Sequence, residues 1–182
     1  MRWGVVLAAG AGRRMGMPKA LLPVEGGPLV CAHLRALAPC CDALIVVTGA
    51  SAGAVAAAVS GWSVTLRENV EWARTGPRES LLCGLDGLSP TDTAFLTPVD
   101  AEPAPPAVLD ALARAGAPAV PVHRGARGHP VFVEVGPVRA ALAEGPLDRA
   151  LRAAHTVDTD WAGATTNLNT PAEWASWRAA RR

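Results

Sequence analysis

The chain has 182 residues, half of them apolar and 18% charged, with 18 Gly and 16 Pro, a composition that fits one soluble globular domain spanning residues 1–182 and excludes a low-complexity or disordered tract. Seventeen basic residues against sixteen acidic ones leave a formal charge of +1. That balance removes the field-wide attraction to nucleic acid or an acidic membrane, so any affinity for phosphate must be local.

Met1-Arg2 and the apolar run Trp3–Ala9 resemble a very short export signal, but the run passes into Gly10, Gly12, Arg13 and Arg14 instead of a cleavage site. It is predicted as a first strand over Gly4–Ala8, and the protein is expected in the cytoplasm. A helix is predicted over Leu29–Leu37. From Ala43 to Leu66 no residue is charged, a stretch long enough to cross a bilayer, yet Thr48-Gly49-Ala50-Ser51 and Ser60-Gly61 interrupt it. The segment is therefore predicted as a strand (Ala43–Val47), a helix (Gly53–Val59) and a second strand (Ser63–Leu66), not a membrane span. A helix over Ser80–Leu88, a strand over Thr93–Pro98, a helix over Ala107–Ala115 and a strand over Ala119–Val122 continue the alternation. Arg127–Val135 reads as an extended strand or half a hairpin, and helices are expected over Leu147–Ala153 and Ala172–Ala180, the basic end Arg178–Arg182 fraying. The alternation signals βαβ units and a mainly parallel sheet, and the apolar strands suit positions buried on both faces. Cys31, Cys40, Cys41 and Cys83 show neither a CxxC pair nor metal-ligand spacing, so a zinc site or disulfide framework is not expected.

The most informative stretch is Leu7-Ala8-Ala9-Gly10-Ala11-Gly12-Arg13-Arg14-Met15-Gly16-Met17-Pro18-Lys19, directly after the first strand. Small residues let backbone amides approach a phosphate, and Arg13, Arg14 and Lys19 supply charge to oppose it. The only lysine of the loop follows Pro18 and precedes Ala20, which excludes GxxxxGK[ST]. The glycines read GxGxxxG, not GxGxxG, and the next strand ends in Val46-Val47-Thr48-Gly49 without the acid that a dinucleotide ribose requires. A dinucleotide site is thus a weak reading.

LAAGAGRRMGMPKALLP resembles the signature of the MobA-like NTP transferases, closest to the molybdenum cofactor cytidylyltransferase (MocA-like) branch; Arg14 and Lys19 fall on the signature's cations and Arg13 is additional. The resemblance implies a three-layer αβα, Rossmann-like nucleotidyltransferase fold of the GT-A type with a mostly parallel mixed sheet. It also implies Mg²⁺-dependent transfer of NMP from an NTP to a phosphorylated small acceptor, with pyrophosphate released. CTP is favoured over GTP and a molybdopterin-type acceptor over sugar phosphates, polyols or phospholactate; a molybdoenzyme or cofactor-insertion protein is the implied partner. A nucleotide-binding regulatory module without transfer activity is the alternative from another class.

Residue by residue, the resemblance assigns the nucleotide to Leu7, Ala8, Ala9, Gly10, Ala11, Gly12, Arg14 and Lys19, with Gly76 and Ser80 from NVEWARTGPRESLLCGL near the base or ribose. Phe95-Leu96-Thr97-Pro98-Val99-Asp100 is similar to the strand whose terminal Asp holds the metal, and a carboxylate at that end of a parallel strand faces the ligand crevice in its own right. Arg14, Lys19 and Asp100 are the catalytic candidates. HRGARGHPVFV is similar to an acceptor-facing segment, which points to Arg127, Gly128 and His129. NLNTPAE is similar to the closing motif that completes the metal or phosphate shell, here through Asn167 and Asn169. Each has a plainer reading: a solvated charge for Arg13 and His129, a helix N-cap for Asp100 and Ser80, a turn for the two asparagines, and for Glu102 either an outer acid of the site or the start of a helix.

Overall fold

Strand-length runs of Val, Ile, Leu and Phe form the middle of the molecule in a computed structural model that describes residues 1–181. The strands are β1 (Arg2–Leu7), β2 (Pro23–Val24), β3 (Gly27–Pro28), β4 (Ala43–Thr48), β5 (Thr65–Glu68), β6 (Thr93–Pro98), β7 (Ala119–His123), β8 (Ala126–Arg127), β9 (Val131–Glu134) and β10 (His155–Asp158). The helices are α1 (Leu29–Leu37), α2 (Ala52–Ala58), α3 (Pro77–Leu85), α4 (Pro106–Ala115), α5 (Val135–Glu144), α6 (Leu147–Ala150) and α7 (Pro171–Ala179). The main sheet runs β10-β7-β9-β6-β1-β4-β5, with β8 paired to β7. Strands β6, β1, β4 and β5 are parallel to one another, as are β7 and β10, and β9 runs antiparallel to both β6 and β7.

Alternation along the strands builds two cores. Val6, Leu44, Val46 and Phe95 face Val30 and Leu34 of α1, Val55 of α2, and Val108, Leu109 and Leu112 of α4. Val5, Ile45, Val47, Leu96 and Val133 face Leu81 and Leu85 of α3 and Val138 and Leu142 of α5. This is the three-layer αβα arrangement with a mostly parallel mixed sheet. The uncharged 43–66 stretch folds as strand, helix and strand, and no helix among the described residues is long and apolar enough to cross a membrane.

Several expectations need correction. The strand placed at Ser63–Leu66 begins two residues later as β5 and forms the sheet edge, where Leu66 is 41% exposed, so it is not buried on both faces. The helix placed at Ser80–Leu88 begins at Pro77 with Gly76 as N-cap, which puts Ser80 inside it. Helix α5 was not expected because Gly136 and Pro137 resemble breakers; in a first turn, where amides have no intrahelical partner, both are tolerated. Strand β10, His-Thr-Val-Asp, has too little apolar pattern to stand out, and the β2–β3 hairpin is only two residues a side. The basic C-terminal turn is described as far as Arg181; Arg182 lies outside the described residues.

Glu102 ties the C-terminal helix to the end of the sheet. Its carboxylate, 11% exposed, accepts from the indole N–H of Trp161 at 3.1 Å and of Trp177 at 2.9 Å, and pairs with Arg181. It is thus neither an outer acid of the cleft nor the start of α4, whose N-cap is Pro105. Trp174 and Trp177 stack at 5.3 Å and pack on the small cluster of Met15, Leu22, Leu29 and Leu168, which supports the loop after β1. Glu102→Ala leaves two indole donors and one guanidinium without their acceptor; it is expected to cost about 2 kcal/mol and lower Tm by roughly 4–8 °C, with Glu102→Gln intermediate. Thermal denaturation of the three proteins checks this, and an unchanged Tm would mean that α7 is held by apolar packing alone.

Candidate functional site

The parallel strands β1 and β6 end side by side, and a crevice opens beyond their carboxyl ends, where open α/β sheets bind ligands. It measures about 530 Å³, within the range of small-molecule sites. One wall is the loop after β1, the opposite wall is Trp72, Ala73, Thr75 and the start of α3, and the floor is Pro98, Val99 and Asp100.

The glycine loop is fixed by its backbone. Gly12 has φ +62°, and its carbonyl accepts from Met15 N at 2.9 Å and Gly16 N at 3.1 Å, closing the short 3-10 turn Arg13–Met15. A Cβ at Gly12 would lie 2.2 Å from the Met17 carbonyl oxygen, so the turn excludes a side chain there. Met15 is buried beneath the loop, and Arg13 and Arg14 are left exposed above it.

Lys19 begins the next 3-10 turn and joins three distant segments. Its ammonium donates to Asp100 Oδ2 at 2.7 Å and to Asn169 Oδ1 at 2.6 Å, and Arg14 Nη2 donates to the same Asn169 oxygen at 3.3 Å. Leu168 N donates to the Asp100 carbonyl at 2.7 Å, and Ala101 bridges Asn167, which brings the C-terminal segment onto the end of β6. Asn169 is steadied in turn by the α7 capping box: Glu173 accepts from the backbone N–H of Asn169 at 2.9 Å and of Thr170 at 2.8 Å. Those two donors, together with Arg14, hold the Glu173 carboxyl below its usual range.

On the opposite wall, Asn69 is buried and organises the loop to α3. Its Nδ2 donates to Thr75 Oγ1 at 3.0 Å and Ser80 Oγ at 3.1 Å, and its Oδ1 accepts from Glu71 N at 3.2 Å. Glu79 accepts from Gly76 N at 2.9 Å, and that bond lowers its pKa. The positive end of the α3 dipole therefore borders the crevice.

Of the residues expected to hold a nucleotide, Leu7, Ala9, Gly10, Ala11, Gly12, Arg14, Lys19, Gly76 and Ser80 line this crevice, with Asp100 at its floor. Ala8 does not: its side chain is buried in the sheet–helix core and its N–H bonds to Val47 O. Arg127 is also placed elsewhere. Its guanidinium donates to the Leu151 carbonyl at 2.6 Å and to that of Arg152 at 3.4 Å, capping the end of α6. Gly128 serves a close backbone approach, since a Cβ there would meet Ala164 O at 1.9 Å. Asn167 is exposed on a separate groove beside Trp161 and Trp177, so Asn169 is the asparagine that shares the Lys19 ammonium with Asp100. His129 lies behind the site: its Nδ1 is buried with no partner among the described residues, and burial lowers its pKa against the nearby charges of Asp100 and Asp148.

A model of the MobA-like NTP transferase domain matches residues 4–160. The chain belongs to this family. It is 33% identical over 155 residues to a protein named nicotine blue oxidoreductase from Paenarthrobacter nicotinovorans, covering 77% of this chain and 74% of that protein. It is 33% identical over 104 residues to molybdenum cofactor guanylyltransferase from Rhodobacter capsulatus, covering 51% of this chain and 52%, about half, of that relative. A nucleotidyl transferase from Methanothermobacter thermautotroptrophicus superposes with TM-score 0.82 at 25% identity, over 99% of this chain and 97% of its own. Rv0371c of Mycobacterium tuberculosis, in complex with manganese, gives 0.77 at 26% identity over 98% and 97%. The chain is thus a member of the MobA-like NTP transferase family, similar over about half its length to a molybdenum cofactor guanylyltransferase, and it shares the fold of these two solved structures.

Two residues behind this MobA-like site had no signal in the sequence. Asn69 falls in a matched segment without a role attached, and His33 is one polar residue in an apolar helix. His33 is 2% exposed, and its Nε2 lies 3.2 Å from Val99 O and 3.1 Å from Ala101 O, on either side of Asp100. Burial lowers its pKa to about 4, against smaller opposing effects of the two carbonyls and Asp100. In the unfolded chain it titrates near 6.5. Between these values the unfolded chain binds a proton that the folded one refuses, so stability falls as pH drops from about 6.5 toward about 4. Urea denaturation at pH 7 and pH 4.5 is expected to show wild type losing ~2–3 kcal/mol more than His33→Gln. Equal losses would contradict the buried neutral imidazole.

Proposed function

We propose that this protein transfers NMP from an NTP to a phosphorylated small-molecule acceptor and releases pyrophosphate. The observation that carries the reading is the convergence of Arg14, Lys19, Asp100 and Asn169 at one end of a crevice of nucleotide size. CTP is the first candidate and GTP the second, because LAAG and RGHP resemble the cytidylyl branch while one relative is named a guanylyltransferase. The acceptor class we favour is a molybdopterin-type cofactor with a terminal phosphate, ahead of a sugar phosphate. The setting is the cytoplasm, as one domain over 1–182, with a molybdoenzyme or insertion protein as the downstream partner.

The residues present fit a divalent cation. Asp100 Oδ2 and Asn169 Oδ1 point at one position, which an ammonium occupies at 2.7 and 2.6 Å. Among the described residues no group of three or more His, Cys, Asp or Glu could hold a metal unaided. One carboxylate and one amide oxygen suit Mg²⁺, which keeps waters and draws its other ligands from phosphates. When bound, the cation would neutralise phosphate charge and polarise the α-phosphate for attack. The manganese complex of Rv0371c supports a divalent metal in this family.

The chain's own groups do the rest. In the reaction an acceptor phosphate oxygen forms a bond to the α-phosphorus, the bond to the bridging oxygen of the β-phosphate breaks, and the electron pair leaves with pyrophosphate. The backbone Ala9–Gly12 lies along the nucleotide, Gly76 and Ser80 face its base or ribose, and Arg14 and Lys19 meet the negative charge that grows on the leaving group. His129 is kept as an acceptor-side residue on the RGHP resemblance alone, since its Nδ1 is buried and has no partner among the described residues.

Pyrophosphate release is expected with Mg²⁺, one of CTP, GTP, ATP or UTP, and one member of a panel of phosphorylated acceptors. NADH oxidation, measured in parallel because one relative is named an oxidoreductase, is expected to be absent. No thermal shift with any NTP and no pyrophosphate with any acceptor would remove the reading in favour of a module that binds without transfer. Lys19→Met is expected to lower kcat by roughly 10²–10³ with little change in Tm. Because it vacates the position between Asp100 and Asn169, the same change should tighten Mn²⁺ binding to the nucleotide-free protein. Asp100→Asn should abolish Mg²⁺-dependent turnover.

A further inference from the structure

Asp100 is held from behind by a side chain that does not line the crevice. His33 projects from α1 into a fully enclosed position, where Nε2 meets the carbonyl oxygens of Val99 at 3.2 Å and Ala101 at 3.1 Å. Two carbonyls require that Nε2 carries a proton, which is shared between them. The carbonyls belong to the residues before and after Asp100. Three other backbone groups here are already committed, Val99 N to Leu7 O at 3.0 Å, Ala101 N to Pro98 O at 3.1 Å, and Asp100 O to Leu168 N at 2.7 Å. The imidazole adds two more restraints to the frame that sets the direction of the Asp100 side chain.

We propose that His33 is a positioning residue for Asp100: one shared N–H holds the 99–101 backbone so that the carboxylate meets Asn169 at the cation position. The inference rests on the nucleotidyl-transfer reading and adds to it a residue on a helix whose other buried positions are apolar. Packing alone gives no reason for a histidine there. Val30 and Leu34 of the same helix are wholly buried, and an aliphatic side chain would fill the space without the desolvation of an imidazole. The imidazole is needed where the end of β6 turns into the crevice and presents two carbonyls to an apolar helix. A residue that orients a metal ligand changes metal affinity more than it changes the binding of the rest of the substrate.

The experiment compares wild type with His33→Gln, His33→Asn and His33→Leu. Free Mn²⁺ is followed by electron paramagnetic resonance during titration of the protein with CTP or GTP present, and binding of the same nucleotide is measured in EDTA by calorimetry. Failure of the wild type to bind Mn²⁺ with nucleotide would sink the nucleotidyl-transfer reading itself and is distinguishable from the outcomes that follow. His33→Leu should weaken Mn²⁺ binding by about 10-fold or more and lower kcat, with nucleotide affinity in EDTA within about 2-fold of wild type. His33→Gln, which keeps a donor of similar reach, should restore most of the Mn²⁺ affinity, and the shorter His33→Asn should not. Wild-type Mn²⁺ affinity in a folded His33→Leu protein, or an equal loss of nucleotide binding in EDTA, would overturn the proposal. If His33→Leu does not fold, the Gln and Asn variants decide, and equal Mn²⁺ affinities for those two would overturn it.

Discussion

A single ammonium group joins the parts of the site. Lys19 follows the first loop, Asp100 follows the strand β6 and Asn169 precedes the last helix, and their side chains meet where one cation accepts the company of two oxygens at 2.7 and 2.6 Å. The pair is half-sheltered, with side-chain exposures of 17% for Lys19 and 24% for Asp100, so its attraction is less screened than that of a surface pair. Everything nearby serves to hold these oxygens: the Leu168–Asp100 backbone bond, the Glu173 capping box and the Glu102 tie to Trp161 and Trp177. An arrangement of two oxygens around one exchangeable cation is suited to a ligand that brings its own metal and its own anions. In the proposed reaction the ammonium would follow the phosphates, and Asp100 and Asn169 would be left to hold a divalent cation.

The near-neutral net charge is compatible with an anion site because several of the arginines are committed elsewhere. Arg67 donates to the carbonyls of Cys83, Gly84 and Asp86 at the end of α3. Arg139 reaches those of Leu85 and Leu88, and Arg78 those of Leu142 and Ala143 at the end of α5. Arg127 does the same for Leu151 and Arg152. Carbonyls at helix C-termini lack intrahelical partners and carry partial negative charge, so a guanidinium satisfies both needs together. Each such residue is thereby turned into scaffold. Arg13, Arg14 and Lys19 stand on a loop whose helical turns are too short to need them, so their charge faces the crevice, that of Lys19 against Asp100 and Asn169 and that of Arg14 against Asn169.

This distinction explains which parts of the site were legible in the sequence. The glycine loop and Asp100 were readable because their chemistry is local: small residues, cations and a carboxylate at a strand end carry their meaning within a few positions. The placement of Arg127 was not legible because RGHP says nothing of the carbonyls at the end of α6 that take its guanidinium, a contact with residues 24 and 25 positions away. The asparagines could not be told apart for a similar reason. Only the tertiary bridge to Ala101 places Asn167 on the groove side and leaves Asn169 at the ammonium. The sheet was legible where strands are apolar runs, displaced by two residues at β5 and missed at β10, where edge exposure weakens the pattern.

His33 marks the limit of that kind of reading. In the sequence it is one histidine among Val30, Cys31, Ala32 and Leu34, indistinguishable from a solvated residue on a helix flank. Its meaning comes from the fold, which buries it and turns the two carbonyls around Asp100 toward it. Buried polar groups survive where leaving a partner unsatisfied would cost more than their own desolvation, and a pair of carbonyls pointing into an apolar layer is such a place. The crevice is therefore built in two depths. Side chains that touch the ligand are readable as motif, whereas the hydrogen bonds that aim them come from α1, from the Asn69 hub and from the α7 cap, and appear only once the chain is folded.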